Sequence, residues 1–192
     1  FPLSGLVNGA LNVSLAPDAN DVEDLAGNDL ANVTWSYTVD LTPPTITNRA
    51  PTPGSTIVGW TVNLDVTVSE EVEGVDASDL VLSGTAATTA SVGAPTHQGG
   101  NIWRFPVTGL RSGELAVTLA ADPDDIQDLA GHDLAAIAWQ YAVHGPLDHF
   151  QWSTINSPQY ADVPFPATVT ALDLYDHVVT NYDGTVDLSG WT

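Results

Sequence analysis

The sequence predicts an all-β protein built from β-sandwich units. Three observations carry that expectation. Apolar residues alternate with polar ones along short runs, Gly, Pro, Asn and Asp punctuate those runs, and no segment sustains a helical period. The first punctuation is Asn8-Gly9, a strong hairpin signal between two extended runs. In "WTVNLDVTV" (60–68), Trp60, Val62, Leu64, Val66 and Val68 fall on one face of a strand. "DASDLVLSG" (76–84) opens with room for one short turn. Trp103, Phe105 and Val107 alternate next, then Leu115, Val117 and Leu119, then Ile137, Trp139, Tyr141 and Val143. Such alternation suits antiparallel sheets with one dry face. Gly109 and Ser112-Gly113 mark the turn between two of these strands. "VDLTPPTI" and "RAPTPGST" are proline-rich joints, and Pro43-Pro44 reads as a semi-stiff linker because proline fixes φ and donates no ladder bond. Toward the end, Phe165, Ala167, Val169 and Ala171 alternate, "DLYDH" turns, and a strand resumes at Val178.

An internal repeat organises these elements. Residues 1–39 and 105–143 align without a gap at a constant offset of 104, with 21 of 39 positions identical. Phe1 matches Phe105, Trp35 matches Trp139 and Tyr37 matches Tyr141. The offset gives a unit of about a hundred residues, the size of one sandwich. The chain thus divides into 1–42, the C-terminal part of one unit; 43–144, a complete unit; and 145–192, the N-terminal part of a second type of unit. The expected complement of the partial units is the rest of a longer polypeptide, with strand donation by neighbouring copies as the alternative.

Composition narrows function. Three arginines face 24 acidic residues, 19 of them aspartate, and lysine is absent, for a formal net charge of −21. Such a surface repels phosphate backbones and anionic lipid, so nucleic acid is excluded as a partner and cations or neutral polymers are favoured. No apolar run has the length of a membrane span, and the first residues lack a signal-peptide pattern. The absence of cysteine excludes disulfides and thiolate metal sites, and the absence of lysine excludes lysine–asparagine isopeptide crosslinks.

The motifs "VTVSEEVEGVDASDLVLSG", "IQDLAGHDL…WQYAV" and "VEDLAGNDL…WSYTVDLTPPTI" resemble the tandem bacterial immunoglobulin-like repeats of large surface and secreted proteins. The segment "PFPATVTALDLYDHVVTNYDGTVDLSG" resembles a second kind of bacterial immunoglobulin-like module. The resemblance implies tandem immunoglobulin-like sandwiches, an extracellular or cell-surface location, and a role in an adhesin, an envelope or fibre protein, or a spacer. It implies no enzyme and no catalytic residue. Its pattern usually has Asn where this chain has His132.

The densest polar feature is "ADPDDIQDLAGHDL" (121–134). Aspartates recur at Asp18/Asp122, Asp21/Asp125, Asp24/Asp128 and Asp29/Asp133. Two readings stand. In one, these are turn residues bonding their own backbone, with Gly131 supplying a positive φ. In the other they bind Ca²⁺, which takes six to eight oxygens, although no EF-hand spacing is present. Asp122, Asp125 and Asp128 would then be the ligands in one copy and Asp18, Asp21 and Asp24 in the other, with Asp133 a lesser candidate and Glu70 able to assist an ion site between units. Glu70, Glu71 and Glu73 otherwise read as the solvated end of a strand. The five histidines show no zinc spacing, and no G-x-S-x-G, P-loop or dinucleotide fingerprint occurs. Trp35, Trp60, Trp103 and Trp139 lie on the apolar phase of strands and read as core, leaving Trp152 and Trp191 less determined. The leading expectation is a non-enzymatic structural spacer, stiffened by calcium in the ion-binding reading. The alternative is an accessory polysaccharide-binding or adhesive module, which a row of exposed aromatics on one sheet face would favour.

Overall fold

The protein is described by a computed structural model, which places residues 2–15, 22–119, 125–180 and 182–187. Among the described residues, fifteen strands and one short 3₁₀ turn (Thr85–Ala87) make it all-β. Strands β1 (Gly9–Leu15) and β2 (Val33–Val39) form an antiparallel pair of their own. The central part of the chain contributes β3 (Ile46–Ala50), β4 (Thr56–Val58), β5 (Thr61–Val68), β6 (Val72–Glu73), β7 (Leu80–Ser83) and β8 (Ser91–Val92). It continues with β9 (Thr96–Gly99), β10 (Ile102–Thr108), β11 (Gly113–Leu119), β12 (Gln127–Asp128) and β13 (Ile137–His144). Strands β14 (His149–Trp152) and β15 (Val169–Leu172) pair antiparallel beyond it.

Two sheets enclose the central core. One runs β3-β5-β10-β8 with β9 also on β10, and the other runs β4-β13-β11-β7. The inward side chains are the apolar phases read from sequence. Leu64 lies opposite Phe105 and Val66 opposite Trp103, while Leu115 lies opposite Tyr141 and Val117 opposite Trp139. Residues of both sheets join one buried cluster, in which Leu64, Phe105, Leu115, Val117 and Val143 are almost wholly enclosed. Fully burying each such side chain contributes about 1.5–3 kcal/mol. Strand β4 pairs parallel with β13, placing Ile57 beside Val143 in that core.

The repeat is visible in the pairing. Leu11 faces Tyr37, Val13 faces Trp35 and Leu15 faces Val33, the β11–β13 register displaced by 104 residues. Burial does not follow. Trp139 is 8% exposed, whereas its counterpart Trp35 is 40% exposed. Trp35 was expected in a core, and it departs from that because β1 and β2 pair only with each other among the described residues. Trp60 and Trp103 are half-buried.

The proline joint is anchored. Pro44 is fully buried, the Thr45 amide donates to Ser69 Oγ at 3.0 Å, and the Ser69 amide donates to the Thr45 carbonyl at 2.8 Å. Tyr141 reaches from the core to donate its hydroxyl to the Pro51 carbonyl at 2.7 Å. Among the described residues, no helix is long and apolar enough to cross a membrane.

Candidate functional site

Among the described residues, one small hairpin occurs three times. In "DLAGN" (24–28), "DLAGH" (128–132) and "DLYDH" (173–177), the first aspartate turns its carboxylate back onto the loop. Asp24 Oδ1 accepts the Ala26 and Asn28 amides at 2.8 and 3.0 Å. Asp128 Oδ1 accepts those of Ala130 and His132 at 2.8 and 2.9 Å. Asp173 Oδ1 accepts those of Tyr175 and His177 at 2.8 and 3.0 Å. Each hairpin closes with the same outer bond, Leu30 to Val22, Leu134 to Ile126 and Val179 to Ala171. The fourth position needs a left-handed backbone. Gly27 and Gly131 supply it at φ 79° and 86°, and Asp176 supplies it at φ 64°.

The second carboxylate oxygen distinguishes the copies. Asp24 Oδ2 accepts the Asn28 side-chain amide at 2.8 Å, and Asp128 Oδ2 meets His132 Nδ1 at 2.9 Å, so the histidine takes over the asparagine's bond. Asp173 Oδ2 instead accepts the Ser112 hydroxyl from the central unit. All three carboxyls are held below the ordinary aspartate range. For Asp24 the Asn28 side-chain bond leads; for Asp128 and Asp173 burial pushes upward but the converging hydrogen bonds outweigh it.

The Asp128 and Asp173 hairpins stand at two joints where a similar bond recurs. After β2, the Leu41 amide donates to Asn8 Oδ1 at 2.7 Å, and Asn8 Nδ2 donates to Thr42 Oγ1. After β13, the Gly145 amide donates to Ser112 Oγ at 2.9 Å. Asn8 and Ser112, and Leu41 and Gly145, are each 104 residues apart, so the same joint bond recurs with a different side chain. The second joint is also packed. Tyr175 meets Trp60 edge-to-face at 5.4 Å, and Arg111 lies over the Tyr175 ring at 4.6 Å.

At the first joint, carboxylate oxygens of Asp40, Glu70 and Asp128 lie within 4.8 Å of one another. Asp128 is buried and the other two are half-buried. Their three oxygens are hard donors, of which Ca²⁺ takes six to eight. Of the six expected ligands, Asp128 enters this group. Asp24 lies in its own exposed turn. Asp125 lies beside Asp79, whose carboxyl is pushed up to about 6, chiefly by burial and further by Asp125. Asp18, Asp21 and Asp122 lie outside the described residues, as does Trp191. Asp133 Oδ1 accepts the Gln127 side-chain amide at 2.7 Å. Sequence reasoning missed Asp40 and Asp79. Asp40 sits at the start of the proline joint, where an acidic residue between two units is the one available signal. Asp79 is 1% exposed.

No family model matches the chain, and no curated protein matches it. Solved structures do. A structure of surface layer protein SbsC, domains 4–9, matches at 16% identity over 91% of this chain and 25% of that one, with a TM-score of 0.34. The S-layer protein rSbsC(31–844) matches at 16% identity over 95% and 26%, with a TM-score of 0.33. SbsC domains 5–6 match at 15% identity over 70% and 66%, with a TM-score of 0.31. This chain thus spans about a quarter of the length of the first of these. At that level of superposition the likeness carries no argument about function.

Proposed function

We propose that this chain is a non-enzymatic spacer segment of an extracellular, surface or fibre-forming protein, built from tandem immunoglobulin-like sandwiches with stiffened joints. The observation that carries the reading is the joint bond repeated at a spacing of 104 residues, Asn8 to Leu41 and Ser112 to Gly145. A bond that recurs with the repeat suits a rod, because it pins the chain leaving each unit to that unit's own edge and gives the linker a set starting direction. The anchored Pro44 and the Tyr175 contacts add to it. In this reading Asp40, Glu70 and Asp128 hold Ca²⁺ at the first joint and screen part of the repulsion of a chain with charge −21.

The polysaccharide-binding alternative is less well supported. Trp139 and Tyr141 are buried, and exposed Trp35 and Tyr37 are their repeat counterparts, so their exposure reflects an uncovered core face. Small-angle scattering and thermal melting with calcium and with chelator test the spacer reading. An elongated, stiff particle is expected, with a melting midpoint raised by calcium and that response blunted in Glu70→Gln. Occupancy at a hundred times the dissociation constant is worth about 2.7 kcal/mol. Scattering from a freely jointed chain would contradict the spacer, and an identical calcium response in Glu70→Gln would remove the joint ion from it.

A further inference from the structure

Three buried side-chain polar atoms among the described residues lack a hydrogen-bond partner: Ser55 Oγ, Trp139 Nε1 and Asp79 Oδ1. The first two belong to neutral groups. The third belongs to a carboxylate, which accepts but cannot donate, and a buried uncompensated charge costs several kcal/mol. Asp79 stands just before β7 and is 1% exposed. Its other oxygen, Oδ2, accepts the Asp76 amide at 2.6 Å. A neighbour of the Asp79 side chain is itself a carboxyl, that of Asp125, and the Asp76 carboxylate adds a further negative charge nearby. Asp76 is already engaged by the Ser78 amide at 2.7 Å.

Asp125 is fixed by its backbone. Gly74 has φ +87°, and a Cβ there would run into the Asp125 carbonyl oxygen, so the main chains of Gly74 and Asp125 are pressed together. No side-chain cation relieves the carboxyls. Lysine is absent, and the three arginines are committed elsewhere: Arg49 over Trp139, Arg104 in a bidentate pair with Asp65, and Arg111 over Tyr175. Asp125 is exposed, so the pair is open to solvent on that side.

We propose that Asp79 and Asp125 form a binding site for a hard divalent cation of calcium's type, with Asp79 Oδ1 as the buried ligand, the Asp125 carboxylate opposite it, and water completing the shell. Oxygen-only donors and a half-open position suit that class of ion. The site is separate from the joint cluster, which contains neither residue, and it does not depend on the spacer reading. It brings one residue of the acidic motif together with a partner 46 positions earlier in the chain.

Calorimetric titration of calcium chloride into the metal-free chain, at neutral pH and physiological salt, tests it. Wild type, Asp79→Asn, Asp125→Asn and Glu70→Gln are compared, with far-UV circular dichroism as the check on folding. Asp125→Asn, at an exposed position, keeps the test valid if Asp79→Asn fails to fold. The expected result is loss of one bound calcium per chain in the Asp79 or Asp125 variant, with that binding event retained in Glu70→Gln. An unchanged isotherm in both aspartate variants would overturn the proposal. So would an infrared band of a protonated carboxyl that persists in wild type with calcium and disappears in Asp79→Asn, since the pair would then share a proton. Loss of calcium in Glu70→Gln alone would place the ion at the joint and overturn this site.

Discussion

At the scale of single residues, the turn chemistry was legible because it is local. An aspartate reaches amides two and four positions ahead whatever the rest of the chain does, and "DLAGN", "DLAGH" and "DLYDH" all carry that pattern. What was not legible is where each remaining carboxylate oxygen points. Asp128 meets Glu70 from 58 positions away, and Asp173 meets Ser112 from 61 positions away. Such encounters depend on tertiary placement, which no local spacing encodes. Two outcomes follow at this scale. Tyr141→Phe removes the hydroxyl bound to the Pro51 carbonyl and should cost about 1 kcal/mol in denaturant unfolding. Tyr37→Phe, at an exposed ring, should change stability by less than about 0.5 kcal/mol. Equal effects would contradict the assignment of Tyr141 as an anchor for the connection between β3 and β4. Asp173 gives a pH dependence. Its folded pKa is depressed, because hydrogen bonds from Ser112, His177 and Tyr175 outweigh the upward push of burial. Its contribution is therefore full above the unfolded value of about 3.9 and is lost as pH falls through the folded value. Acid titration followed by Trp60 fluorescence should show the second joint loosening in that window, and Asp173→Asn should abolish the step. An acid transition of the same size in the variant would contradict this.

At the scale of elements, alternation identified β5, β10, β11 and β13 and the faces they bury. It did not identify the two-residue strands β6, β8 and β12, which carry too few positions for a period, or the parallel pairing of β4 with β13. Nor did it set burial, as the hairpins β1–β2 and β11–β13 demonstrate. Their sequences and registers match, yet one face is sealed and the other open, because burial belongs to the opposing sheet. Leu115→Ala should cost roughly 2–5 kcal/mol, since it opens a cavity in a core with no exposure at that site. Leu11→Ala, at the half-buried equivalent, should cost less than half as much. Denaturant unfolding of the two variants measures the difference. Comparable losses would mean that β1–β2 is covered as β11–β13 is.

At the scale of the whole molecule, the account rests on joints that fix neighbouring units. Charge argues for some such device, since 24 acidic groups against three arginines favour separation and leave direction unspecified. The repeated bond from Asn8 and Ser112 fixes the direction in which the chain leaves each unit. Because the chain has no cysteine, a single pair of spin labels can be introduced cleanly at two exposed strand positions, Thr38 on β2 and Asn63 on β5. Pulsed electron–electron resonance between Thr38→Cys and Asn63→Cys reads the first joint most directly. The account predicts one narrow distance distribution that broadens when Asn8→Ala is added. A distribution already broad with Asn8 intact, or one that Asn8→Ala leaves unchanged, would contradict it.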